Sequence, residues 1–153
     1  MLRNTAIRGF NKPINPNDKI PMSNKNPNPN DKKYDLLGGT AKFGEDVIDL
    51  AGTLGKNEIN RPLISQGIRS STSIGANYME ANAAGSRKDF EYKITLCRKE
   101  AKETMQWLRM LARANPEKKD EIRKLWKEAQ ELVFIFSAIL NSSRKKEKQR
   151  KVK

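Results

Sequence analysis

The sequence predicts an all-α protein, an up-down-up-down antiparallel four-helix bundle with a disordered N-terminal tail and a basic C-terminal tail. Three observations carry that expectation. Apolar residues recur at alternating spacings of four and three along two long stretches, Leu36 to Leu54 and Phe90 to Leu111, the pattern of a helix with one buried stripe. Proline and asparagine punctuation separates the periodic stretches by short links, which favours antiparallel neighbours. No run alternates apolar and polar residues as a strand would.

Charge divides the 153 residues into three parts. Residues 1–33 carry seven Lys/Arg against two Asp, residues 144–153 carry seven against Glu147, and residues 34–143 are nearly balanced at 17 basic and 15 acidic. A folded body at 34–143 with polycationic ends attracts polyanions. The first 33 residues also hold eight asparagines and five prolines, with NPND twice, at Asn15–Asp18 and Asn28–Asp31. Such composition reads as disorder, and Met22 offers an internal start. Cys97 is the sole cysteine and histidine is absent. A single thiol cannot close an intramolecular disulfide, so a cytoplasmic, reducing compartment is expected. No secretory signal is evident, and the most apolar run, Leu132–Leu140, falls well short of the roughly 20 residues of a membrane span.

The first helix is expected to start between Asp31 and Tyr34 and to end near Leu54, with Leu36, Thr40, Phe43, Val47, Leu50 and Leu54 as its seam and Gly55 as its stop. The second opens at Asn60 or Arg61, with Pro62 in its first turn, and closes between Ala83 and Gly85. It is built largely from small residues. Propensity disfavours a helix there, since glycine costs up to about 1 kcal/mol relative to alanine and serine competes for backbone hydrogen bonds. Gly67, Ser71 and Gly75 instead predict a seam along which another helix approaches closely. Ser86 to Asp89 resembles a capping box and starts the third helix, whose seam is Phe90, Ile94, Cys97, Ala101, Thr104, Leu108 and Leu111. Asn115 and Pro116 are expected as N-cap and first-turn proline of the fourth. Its inner face is Ile122, Leu125, Trp126, Ala129, Leu132, Val133, Phe136, Ile139 and Leu140, and it is expected to fray between Asn141 and Arg144.

Several segments together resemble a bacterial four-helix-bundle family. They are Tyr34-Asp35-Leu36, Phe43 to Val47, Arg69 to Asn77 with Glu80-Ala81, Ser86 to Phe90, Cys97 to Thr104, and Trp107-Leu108. The family comprises proteins encoded in intervening sequences of 23S ribosomal RNA genes, related to the accessory variability determinant of diversity-generating retroelements. The resemblance covers roughly 34–141 and implies a ring-like homo-oligomer, a pentamer. In the retroelement group it implies a basic surface for nucleic acid and a reverse transcriptase. The near-neutral bundle of this chain is closer to the intervening-sequence type.

Candidate chemistry is sparse. Asn77 and Glu80 on the second helix, with Arg98 and Glu103 on the third, suggest a structural polar cluster fixing register, with Glu80 expected to meet Arg98, Arg69 or a serine hydroxyl. Carboxylate metal sites in bundles add a histidine three residues after a glutamate. With no histidine, no metal, cofactor or catalytic residue is expected. Cys97 on a core stripe reads as a small hydrophobe. The partner signal is the tail: Arg144, Lys145, Lys146, Lys148, Arg150, Lys151 and Lys153. Up to seven phosphate contacts predict steeply salt-dependent, sequence-independent binding, and no aromatic residue supplies stacking. The expected activity is non-enzymatic binding of nucleic acid, RNA before DNA, by an oligomer. The alternatives are a scaffold for a protein partner and, as the resemblance implies, an accessory protein of a diversity-generating retroelement.

Overall fold

The computed structural model describes residues 35–152. Over that range the chain forms four α-helices and one 3-10 turn: α1 (Leu36–Thr53), α2 (Asn60–Asn82), α3 (Arg87–Ala114), the turn Pro116–Lys118, and α4 (Lys119–Lys151). Each helix packs on its sequence neighbours, α1 returns to α4 along a narrower seam, and the diagonal pairs do not meet at backbone level. That is the expected antiparallel four-helix bundle. The expected disorder of 1–33 and the residues Tyr34 and Lys153 lie outside the described range.

The predicted seams form the core. Leu36, Thr40, Phe43, Val47, Leu50 and Leu54 of the first stripe are all buried, as are Ile94, Cys97, Ala101, Thr104, Leu108 and Leu111 of the third. In α4 the stripe from Ile122 to Leu140 is buried at seven positions, with Trp126 and Val133 half-buried at its edge. Tyr78 of α2 reaches across the diagonal to Phe136 of α4 with ring centroids 6.2 Å apart, and burial pushes its phenol above the ordinary range.

The small residues of α2 serve two neighbours rather than one. A Cβ on Gly75 would stand 3.5 Å from Thr40 Oγ1 of α1, and one on Gly67 would stand 3.7 Å from Leu111 Cδ1 of α3. Gly44 of α1 answers from the other side, its notional Cβ 3.5 Å from the Thr72 backbone. Close approach along α1 and α2 compensates the weak propensity of this stretch through packing, since helical stability in proteins comes mainly from tertiary contact.

The start and stop of α1 and the start of α4 differ from expectation, while α2 opens at Asn60 as expected. The first helix begins later, at Leu36, because Asp35 is its N-cap: the Asp35 carboxylate accepts from Gly38 N at 2.8 Å. Gly55 does not end it in a left-handed conformation, for no described glycine has positive φ. Leu54 turns extended, and Asn60 Nδ2 donates to Gly55 O at 2.8 Å. The Asn57 side chain accepts from Ile59 N and Asn60 N at 3.1 and 2.8 Å, doing for α2 what an N-cap does. Asn115 is not a side-chain cap; it is buried against Asn60, and a 3-10 turn containing Pro116 intervenes before α4. Ser86 does cap α3, accepting from Asp89 N at 3.1 Å.

Candidate nucleic-acid interface

The fourth helix does not fray at Asn141 to Arg144 but continues to Lys151. Its inner stripe extends beyond Leu140 to Ser143, the last buried residue. Ser143 Oγ accepts from Arg87 Nε at 3.1 Å and donates to the Glu91 carboxylate, while Arg87 Nε also reaches Glu91 at 3.1 Å. Arg87 is the first residue of α3, so α4 overruns its neighbour at this pole. Eight further helical residues, 144–151, project about 12 Å at 1.5 Å per residue.

This overhang holds Arg144, Lys145, Lys146, Lys148, Arg150 and Lys151, all exposed; Lys153 lies outside the described residues. Lys151 pairs with Glu147 at 2.8 Å one turn back, which holds the Glu147 carboxyl below its usual range, with help from Arg87. Repulsion at i,i+4 opposes this helix at Arg144/Lys148 and Lys146/Arg150, whereas the cations complement the negative C-terminal end of the helix dipole. The sequence located these cations. It did not show that they continue the helix, because a polar run carries no periodicity signal.

The four polar residues grouped from the sequence do not form one network. The antiparallel register of α2 and α3 places Glu80 opposite Lys93, with which it forms a surface ion pair, rather than opposite Arg98, Arg69 or a serine. Glu103 lies about three turns away, paired with Arg69 and accepting from Trp107 Nε1 at 3.2 Å. Glu100 adds a 3.5 Å contact to Arg69. Asn77 Nδ2 donates to Ser73 O at 2.9 Å within its own helix, and Arg98 is half-buried and outside both pairs.

The buried polar contacts are elsewhere. Thr104 Oγ1 lies 2.8 Å from Ser70 Oγ at the heart of the α2/α3 seam, and Asn60 pairs with Asn115. Cys97 is fully buried, and burial drives its thiol up to about 12. A reactive thiolate is thereby suppressed.

One acidic group escaped sequence reasoning. At the narrow α1/α4 seam Glu128 is pushed up to about 7, first by burial and then by the charges of Asp46 and Glu131. Burial also raises Glu131, whose Oε2 has no hydrogen-bond partner among the described residues. Lys42 pairs with Asp46. No group of three or more metal-ligating side chains stands together among the described residues, and no described helix is long and apolar enough to cross a membrane.

Comparison with known proteins agrees with this architecture. A crystal structure of a protein with unknown function from the S23 ribosomal protein family of Bacteroides thetaiotaomicron superposes with a TM-score of 0.58 at 30% identity, covering 66% of this chain and 94% of that one. Among curated proteins nothing matches. The family model described as 23S rRNA-intervening sequence protein matches residues 32–138. The chain belongs to the 23S rRNA-intervening sequence protein family.

Proposed function

We propose that this protein is a non-enzymatic, oligomeric helical bundle that binds nucleic acid through the projecting end of α4. The observation that carries the reading is the overhang itself: six lysine and arginine side chains on a helix that has left the bundle, with one carboxylate among them. Phosphate contacts of this kind give affinity without sequence preference and a steep dependence on salt. The description of the matching family names a 23S rRNA-intervening sequence, so structured RNA is the first polyanion to test. The test is a titration of labelled structured RNA with the full chain and with a chain lacking residues 144–153. Binding that weakens steeply with salt and is lost on deletion supports the reading. Binding unchanged by the deletion overturns it.

The oligomer is supported by a second observation. Leu37 and Ile48 of α1 and Met79 of α2 are 41%, 46% and 62% exposed and flank the α1/α2 seam beside the acids Glu45 and Asp49. The outer face of α4 carries Phe134, 60% exposed, with Lys127 and Arg123 on the same side two to three turns toward the start of the helix. An exposed apolar face on one copy can receive the exposed Phe134 of the next, with the basic first half of α4 available to the acids Glu45 and Asp49. Such a head-to-tail contact closes into a ring when its rotation permits, in keeping with a pentamer. Light scattering coupled to size exclusion tests it: Phe134→Ser and Ile48→Lys each shift the mass toward the monomer, and a wild-type chain that is monomeric at all concentrations overturns it.

A further inference from the structure

The cations on the α4 overhang do not share a face. With about 100° between successive residues of an α-helix, Arg144, Lys148 and Lys151 lie together on one side and Lys145 adjoins them. Lys146 and Arg150 lie on the opposite side, and only the strip around Glu147 and that around Gln149 are free of positive charge. All six basic side chains are exposed, and the last buried residue of α4, Ser143, precedes them. A helix built to rest on a flat anionic surface or along one strand concentrates its charge on the side that touches it. Cations on opposite sides are neutralised together by an anion that flanks the helix on both sides.

We propose that the 144–151 end of α4 enters a nucleic-acid groove and is held by phosphates on both walls. This inference rests on the nucleic-acid reading above and narrows its ligand. An α-helix with side chains is about 10–12 Å across, against a B-form major groove about 12 Å wide. The major groove of regular A-form RNA is too deep and narrow to take side chains. The required chemistry is a duplex groove as wide as a helix, lined by two phosphate strands. Two sources provide it: B-form DNA, and an RNA duplex opened by a bulge. The absence of aromatic side chains on the overhang also sets it apart from single-strand binders, which stack bases on such residues. Its eight residues give about two helical turns, enough to present both sides to the walls.

The experiment measures affinity of the full chain against salt for four probes of matched length: a DNA duplex, a regular RNA duplex, a bulged RNA duplex and a single strand. Two double variants are run in parallel, Lys145→Gln with Lys148→Gln, and Lys146→Gln with Arg150→Gln. These residues lie beyond the last buried position of α4, so the bundle folds in each variant, and circular dichroism checks that it does. The DNA duplex and the bulged RNA are expected to bind at least tenfold more tightly than the other two probes. Which of the two binds more tightly identifies the source. Each double variant is expected to lower the slope of log K against log salt by about 1.8, two contacts at about 0.9 each on B-form DNA. If one double variant lowers the slope and the other leaves it unchanged, the helix lies on a surface and the groove is overturned while the nucleic-acid reading stands. Equal affinity for all four probes also overturns the groove. If deleting 144–153 leaves binding unchanged, both readings fall.

Discussion

Asn60 and Asn115 exchange a reciprocal pair of hydrogen bonds, each side-chain nitrogen donating to the other's oxygen at 2.9 Å. They are 1% and 4% exposed. Asn60 also donates to Gly55 O at 2.8 Å and Asn115 to Leu111 O at 2.9 Å, so one pair ties the α1–α2 link to the end of α3. Removing one partner strands the other's buried amide, so Asn60→Ala and Asn115→Ala should each destabilise the fold by about 1–3 kcal/mol. In a double-mutant cycle by urea denaturation, Asn60→Ala/Asn115→Ala should cost clearly less than the sum. Strict additivity would mean that the two side chains do not act as a unit.

The α1/α2 contact predicts opposite signs for small and large replacements at Gly44. A Cβ there meets Thr72 at 3.5 Å, an ordinary contact. Gly44→Ala should therefore stabilise by about 0.5–1 kcal/mol through helix propensity, while Gly44→Leu should destabilise by about 1–3 kcal/mol by forcing the helices apart. Thermal unfolding of the two variants beside the wild type is the check. Stabilisation by leucine would show that the seam is not close-packed.

Glu128 gives the bundle a pH dependence of known sign. Its carboxyl is raised to about 7 in the folded protein, above the ordinary value of 4.5. The folded state then holds a proton that the unfolded state has released. The associated stability is complete below pH 4.5 and is lost as pH rises through 7. Glu128→Gln should stabilise the protein by about 1 kcal/mol at pH 8, a figure reduced from the full linkage value for partial solvent screening, and should have little effect at pH 4. Denaturant midpoints at the two pH values measure the difference. An equal effect at both would remove the titration as the cause.

Cys97 should behave as a core residue. With its thiol buried and raised to about 12, the native protein should resist a thiol reagent at pH 8 and react fully once unfolded in guanidinium. Prompt labelling of the folded chain would contradict the packing of α3 against α2, where Cys97 Sγ sits 3.6 Å from Ile74 O.

Deleting residues 144–153 should leave the unfolding free energy of the bundle within about 0.5 kcal/mol of wild type, as for other surface changes. The helical signal should fall in proportion to the eight lost residues, 144–151. A large loss of stability would mean that the overhang packs on the body.

Residue pattern alone determined the bundle. The stripes Leu36 to Leu54 and Phe90 to Leu111 name almost the whole buried surface of α1 and α3 because burial of one helical face imposes a period that any apolar sequence must show. Ser86 was legible as a cap for the same kind of local reason. What lay beyond the sequence was pairing. The antiparallel register of α2 and α3 sends Glu80 to Lys93 and Glu103 to Arg69, dividing residues that seemed one cluster. Asn115 appears as a cap beside Pro116 until the fold brings Asn60 within 2.9 Å of it. The proximity of Asp46, Glu128 and Glu131 likewise exists only once α1 closes on α4. The cations of the C-terminal end are plain in the sequence, but their course is not: polar residues carry no periodic signal, and it is the position of Ser143 against Arg87 and Glu91 that shows where the bundle ends and the projecting helix begins.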